Sequence, residues 1–191
     1  MKRLVASLLL LTLLSGCTSD PLAEQFRSGD NKNYIAGDGT VTEFAIDERP
    51  SFSEWSGVAD QGYYFKSSSL DGFVVVMNWW YAACAPCRAE APELAALSKE
   101  FADQKVEFIG VNVRDTYATS LAFNRRFGIE YRTMMDQEGG GSVSLAFSGV
   151  VSPQAVPTTL VITRDGKVAS RVLGRIDKSV LRELIETVIE E

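Results

Sequence analysis

The stretch Phe73 to Trp80 reads FVVVMNWW, and it constrains the fold of the 191-residue chain more than any other segment. A near-continuous apolar run cannot alternate between core and solvent. It therefore predicts a strand buried on both faces, as in the centre of an α/β sheet. Val106 to Val113, VEFIGVNV, predicts a second such strand. Between them Ala85 to Ala102 reads as a helix with an apolar stripe of Leu94, Leu97 and Phe101, and Pro92 inside it is expected to kink it. Strand–helix–strand order favours parallel pairing through a right-handed crossover.

The flanking segments extend this pattern. Thr116 to Phe127 predicts a helix capped by Gly128. Residues 137 to 153 are rich in Gly and Ser, with a short helical turn around Val143 to Phe147. Thr158 to Thr163 and Lys167 to Leu173 flank Asp165-Gly166, a strong hairpin signal. Val180, Leu181, Leu184, Ile185, Val188 and Ile189 mark one face of a last helix, with Asp177 as its N-cap. Tyr34 to Asp71, with short alternating segments and several glycines, predicts a small β-hairpin extension. The expected fold class is α/β, a central mixed sheet flanked by helices.

The N-terminus reads as an address. Lys2 and Arg3 precede an apolar run from Leu4 to Leu14, and Ser15, Gly16 and Cys17 follow. That order describes a secretory signal, and the run is about half the length a membrane-spanning helix needs. Leu14-Ser15-Gly16-Cys17 is similar to a bacterial lipobox. The expected organisation is a signal peptide over residues 1–16, a lipidated Cys17 opening a polar tether over 17–33, and one domain over 34–191. Two acyl chains on Cys17 would hold that domain at the extracytoplasmic face of the cell membrane.

Charge and composition exclude several functions. The formal net charge is −6, and it becomes −8 once Lys2 and Arg3 leave with the leader. Such a domain repels phosphate backbones, so nucleic acid is not an expected partner. The chain has no histidine. Ser/His/Asp and Cys/His catalysis, His-ligated metals and covalent haem attachment through a CxxCH motif each need an imidazole.

What remains is the pair Cys84 and Cys87, with Ala85 and Pro86 between them. They fall where the buried strand hands over to a helix. Cys84 would stand at the helix N-terminus, where unpaired N–H groups and the positive dipole end favour a thiolate, the attacking species in disulfide exchange. Cys87 follows one turn later, less exposed and placed to resolve a mixed disulfide. Pro86 is tolerated in a first turn because its missing N–H would lack a partner there. A zinc site would need two more Cys or His ligands, which this chain lacks. The reading is therefore a redox-active disulfide with neither metal nor flavin. Glu90 lies three residues beyond Cys87, on the same helix face, where a buried carboxyl would have a raised pKa and could exchange a proton with the Cys87 thiol.

The segment Asn78-Trp79-Trp80-Tyr81-Ala82-Ala83-Cys84-Ala85-Pro86-Cys87-Arg88-Ala89-Glu90-Ala91-Pro92 resembles the active-site segment of the thioredoxin superfamily. Within it, the chain is most similar to the membrane-anchored TlpA/ResA-type thiol–disulfide oxidoreductases, a likeness that runs from Gly72 to the C-terminus and includes Val156-Pro157-Thr158-Thr159. The resemblance implies a thioredoxin-like fold and a cis Pro157 facing the disulfide. It implies that Val156, Pro157 and Pro86 contact the substrate, with the Val156 backbone open to an extended partner segment. It also implies that Glu90 is an active-site residue, since Asn78 stands where many thioredoxins carry a buried Asp and cannot do acid–base work. Arg88 reads as a surface charge. Ala83 replaces the tryptophan usual before the first cysteine, which predicts a flatter and more open rim, and Ala85 replaces an acidic residue of some relatives.

The resemblance further implies reduction of protein disulfides, in cytochrome c maturation for example, with electrons from a membrane thiol carrier of the CcdA/DsbD type. Two alternatives are a thiol oxidase and a non-catalytic carrier module on the same scaffold. Peroxidase activity fits less well, because Tyr81-Ala82-Ala83 lacks the threonine expected before a peroxidatic cysteine.

Overall fold

The computed structural model describes residues 38–152 and 154–191. The expected signal peptide, the lipidated Cys17 and the tether lie outside the described residues. No described helix is long and apolar enough to cross a membrane.

The elements in chain order are β1 (Asp38–Glu43), β2 (Ser56–Val58), β3 (Tyr64–Lys66), β4 (Val74–Trp80), α1 (Ala85–Glu100), β5 (Val106–Asn112), α2 (Tyr117–Phe127), β6 (Thr133–Met135), α3 (Ser142–Ala146), β7 (Thr158–Ile162), β8 (Val168–Gly174) and α4 (Lys178–Glu190), with short 3-10 turns at Ile46–Glu48 and Ser67–Leu70. Six strands form one sheet in the order β1-β8-β7-β4-β5-β6. β4, β5 and β6 run parallel, while β7, β8 and β1 pair antiparallel.

β4 occupies the position its composition demands. All seven residues are buried, and successive side chains go to opposite faces of the sheet. Val75, Met77 and Trp79 join a core with Trp55, Phe147 and Leu160. Val74 and Val76 join one with Leu94, Leu97, Phe101, Leu181 and Ile185, from α1 and α4. Pro92 stays inside α1, on its exposed side, and the helix continues as one element across it. α2 is capped by Gly128 at φ 69°, as expected, and Thr116, expected as its first residue, is instead its N-cap.

Two expectations change and one strand was not anticipated. The segment before Gly72 is not a single hairpin extension. Only β2 and β3 form a hairpin, whereas β1 pairs with β8 and closes the edge of the main sheet. Its partner lies some 130 residues away in sequence, beyond the reach of any local turn signal. β6 was hidden because its three residues are too few to show a period. Val180 is exposed. Leu181, Leu184, Ile185 and Val188 complete the i, i+3, i+4, i+7 stripe without it.

Candidate active site

The C-terminal end of β4 delivers the chain into a tight approach to α1. Trp80 ends the strand, Cys84 N–H donates to the Tyr81 carbonyl at 3.1 Å, and Cys84 is the N-cap of α1. Its Sγ accepts from the Cys87 N–H at 3.2 Å, so the sulfur does the work a serine or aspartate oxygen does at other helix starts. The first turn of α1 carries no acidic residue, so no carboxylate there cancels the dipole that favours a Cys84 thiolate. Pro86 sits in that first turn, as its missing N–H allows.

Cys84 and Cys87 form a disulfide, with sulfurs 2.09 Å apart and Cα atoms 5.3 Å apart. Neither the open rim nor the expected difference in exposure is present. Cys84 is 0% and Cys87 2% exposed. The small Ala83 does not expose them, because Trp80, Tyr81, Phe123 and Val156 gather around the pair in one apolar cluster. In this oxidised state, exchange at Cys84 requires those side chains to move aside. The Val156–Pro157 peptide is cis, as the resemblance implied. Val156 is itself only 1% exposed. Its side chain belongs to the cluster that shelters the disulfide, so its backbone is not open to a partner here.

Glu90 lies one turn beyond Cys87 and is fully buried. Residues three apart on a helix have Cβ atoms roughly 5–6 Å apart. Its Oε1 accepts from Asn78 Nδ2 at 2.8 Å, and its Oε2 from the Ile176 N–H at 3.0 Å. Loss of water dominates over both hydrogen bonds and pushes the carboxyl up to about 8, aided by the nearby Glu93 charge. The Tyr131 hydroxyl is driven above its ordinary range by burial and by Glu90. Asn78 also donates to Thr159 Oγ1 at 3.1 Å, and it lines a narrow crevice with Cys87, Trp80, Phe123 and Tyr131. The structure thus brings Cys84, Cys87, Pro86 and Val156 to one place and sets Glu90 behind them.

Two residues take roles the sequence reading did not give them: Asn78 was named only for the chemistry it lacks, and Asp115 was not singled out. Asn78 does no acid–base chemistry, but it holds the group that can. A lone amide inside an apolar strand is the signal that a buried polar partner exists. Asp115 accepts from the Ala82 N–H at 2.6 Å and from Asn112 Nδ2 at 2.8 Å. Asn112 Oδ1 in turn accepts from the Arg114 and Asp115 N–H groups. The spacing Asn112-x-x-Asp115 at the end of a strand is a turn signature, and here it ties the end of β5 to the loop before Cys84.

Among the described residues there is no cluster of three or more Cys, Asp or Glu side chains able to hold a metal ion. The chemistry available is that of the sulfur pair and the buried carboxyl.

Comparison with known proteins agrees with this geometry. A model of the AhpC/TSA family matches residues 47–171. The thiol–disulfide oxidoreductase ResA of Bacillus subtilis is 31% identical over 127 residues, 66% of this chain and 68% of that protein. ResA of Bacillus cereus is 25% identical over 187 residues, 97% of this chain and 96% of its own. The crystal structure of a secreted thiol–disulfide isomerase from Corynebacterium glutamicum matches in fold with a TM-score of 0.72 at 21% identity, covering 83% of this chain and 97% of that one. A disulfide at a helix N-terminus, a cis proline following Val156 of its cluster and these likenesses lead to one conclusion: the chain belongs to the AhpC/TSA family of the thioredoxin superfamily and is a thiol–disulfide oxidoreductase of the ResA type.

Proposed function

We propose that the protein reduces disulfides of other proteins at the extracytoplasmic face of the membrane, held there by lipid on Cys17. The observation that carries this reading is the placement of Cys84 as the N-cap of α1 with the carboxyl of Glu90 buried behind Cys87. In the dithiol form the Cys84 thiolate attacks a substrate disulfide. A bond forms between Cys84 Sγ and one substrate sulfur, and the other substrate sulfur leaves as a thiolate and takes up a proton. The ionised form of Glu90 accepts the Cys87 proton and releases it again as the second substrate sulfur leaves and is protonated. The Cys87 thiolate attacks Cys84 Sγ, and the substrate departs with two thiols while the Cys84–Cys87 disulfide is restored. Two electrons pass to the substrate, and a membrane dithiol carrier of the CcdA/DsbD kind returns them. Val156, Pro157 and Pro86 would meet the substrate segment once the cluster over the disulfide opens. A cytochrome c precursor carrying an oxidised cysteine pair is one substrate of the required chemistry.

The test is capture. Cys87→Ser leaves a mixed disulfide on Cys84 with nothing to resolve it, so partners from membranes should accumulate as thiol-sensitive adducts identifiable by mass spectrometry. Disulfide-containing exported proteins and a membrane dithiol protein are the expected catch. Full cellular function of a Cys84→Ser variant would overturn the reading.

A further inference from the structure

The arginines of this acidic chain are not distributed evenly with respect to their partners. Away from the disulfide four of them pair with carboxylates, Arg49 with Glu191, Arg132 with Glu107, Arg175 with Glu93 and Arg182 with Glu100, while Arg164 and Arg171 donate to backbone carbonyls and Arg132 also lies 4.2 Å over the Phe65 ring. Around the cluster that holds the disulfide, three rest on aromatic rings. Arg88, in the first turn of α1, lies 5.5 Å from the Phe127 ring centroid and donates to the Ala82 carbonyl at 3.3 Å. Arg126, from α2, lies 5.7 Å from the same ring. Arg114, next to Asp115, sits 4.3 Å over the Tyr81 ring. All three are exposed, and neither Arg88 nor Arg126 has a carboxylate partner among the described residues. Phe127 and Tyr81 both pack in or against the cluster that holds the disulfide.

We infer that this rim selects substrates whose redox cysteine is flanked by acidic side chains. The inference rests on the exchange reaction proposed above and names its substrate class. Held on a ring face, the guanidinium groups of Arg88 and Arg126 keep outward N–H donors for an incoming carboxylate. Their field adds to that of the α1 N-terminus and stands against the Asp115 carboxylate, which accepts from the Ala82 N–H. The chain as a whole carries an excess of negative charge, so the cationic rim stands against an otherwise acidic background. That arrangement steers orientation as well as encounter.

The oxidised protein is mixed with pentapeptides whose central cysteine is flanked on each side by two glutamates or by two lysines. Two peptide thiols become one peptide disulfide while Cys84–Cys87 becomes a dithiol, so the reaction balances without a further reagent. Rates per thiolate are expected to be about tenfold or more in favour of the glutamate peptide at low salt. The ratio should shrink toward one as the Debye length falls from about 30 Å at 0.01 M to about 3 Å at 1 M. Arg88→Gln with Arg126→Gln should cut it at least threefold, and Arg182→Gln, on the far side of α1, should leave it unchanged. Equal rates for the two peptides, a faster lysine peptide, or a ratio indifferent to salt and to the double substitution would overturn the inference. Dithiothreitol serves as an uncharged reference: if it too fails to reduce the disulfide, the exchange function falls along with the preference.

Discussion

Asn78 Nδ2 donates to Glu90 Oε1 at 2.8 Å, joining the middle of the central strand to the helix that carries the cysteines. The two residues are 12 apart in sequence and both buried. A carboxyl in this position is a poor place for a charge and a good place for a proton. The Asn78 amide and the Ile176 N–H satisfy one oxygen each, yet burial still dominates.

Stability should therefore carry the signature of Glu90. Burial holds its carboxyl at about 8 in the fold, against about 4.3 in an unfolded chain. Between these values the folded protein keeps a proton that the unfolded chain has released. Glu90 therefore costs nothing below about pH 4.3, and stability falls by about 1.4 kcal/mol per unit as pH climbs toward 8. Urea unfolding of the protein and of Glu90→Gln between pH 5 and 8.5 checks this. The variant should gain on the parent as pH rises, and parallel curves would contradict the account.

Asn78→Ala removes one donor from Glu90 Oε1 and one from Thr159 Oγ1. A buried acceptor left without a partner costs about 1–3 kcal/mol. Denaturant titration should show a loss of that size. The Asn78 hydrogen bond lowers the Glu90 pKa, so its loss should raise that pKa further and move the pH dependence of exchange to higher pH.

Asp115→Ala is expected to slow exchange without touching a sulfur. The Ala82 N–H loses its acceptor at 2.6 Å, so the loop that sets Cys84 at the helix start loses its tie to β5. Stability should drop by about 1–2 kcal/mol. The rate of reduction by dithiothreitol should fall more than it does for Asp103→Ala, an exposed control at the other end of α1.

Gly110→Ala tests packing beneath the site. An added Cβ would come within 2.8 Å of both Thr133 Oγ1 and Trp80 Nε1. Overpacking of this kind costs about 1–3 kcal/mol. Since Trp80 stacks on Phe123 at 4.1 Å in the cluster around the disulfide, tryptophan fluorescence should shift along with the unfolding midpoint.

Much of this was legible in the chain, and the rest was hidden for physical reasons. β4, α1, β5 and the last helix announce themselves because each buries a face with its own period. The disulfide pair follows from where those elements meet. β1 was legible as alternation but not as part of the main sheet, since β8 lies far along the chain. The shielding of Cys84 was not legible either. The Ala83 substitution argues for openness, and only the arrival of Val156 and Phe123 from distant segments reverses it. Asn78 shows the limit of reading residues singly, because its chemistry suggests no role until Glu90 stands beside it.

The proposed exchange requires Cys84 to be the more acidic and faster of two thiols once the disulfide is reduced. Alkylation of the dithiol form from pH 5 to 10, with each site followed by mass spectrometry, measures this directly. Cys84 should reach half its maximal reactivity at least one unit below the free-thiol value of about 8.5, and at pH 7 it should react about tenfold or more ahead of Cys87. Two thiols titrating together at or above 8.5 would contradict it.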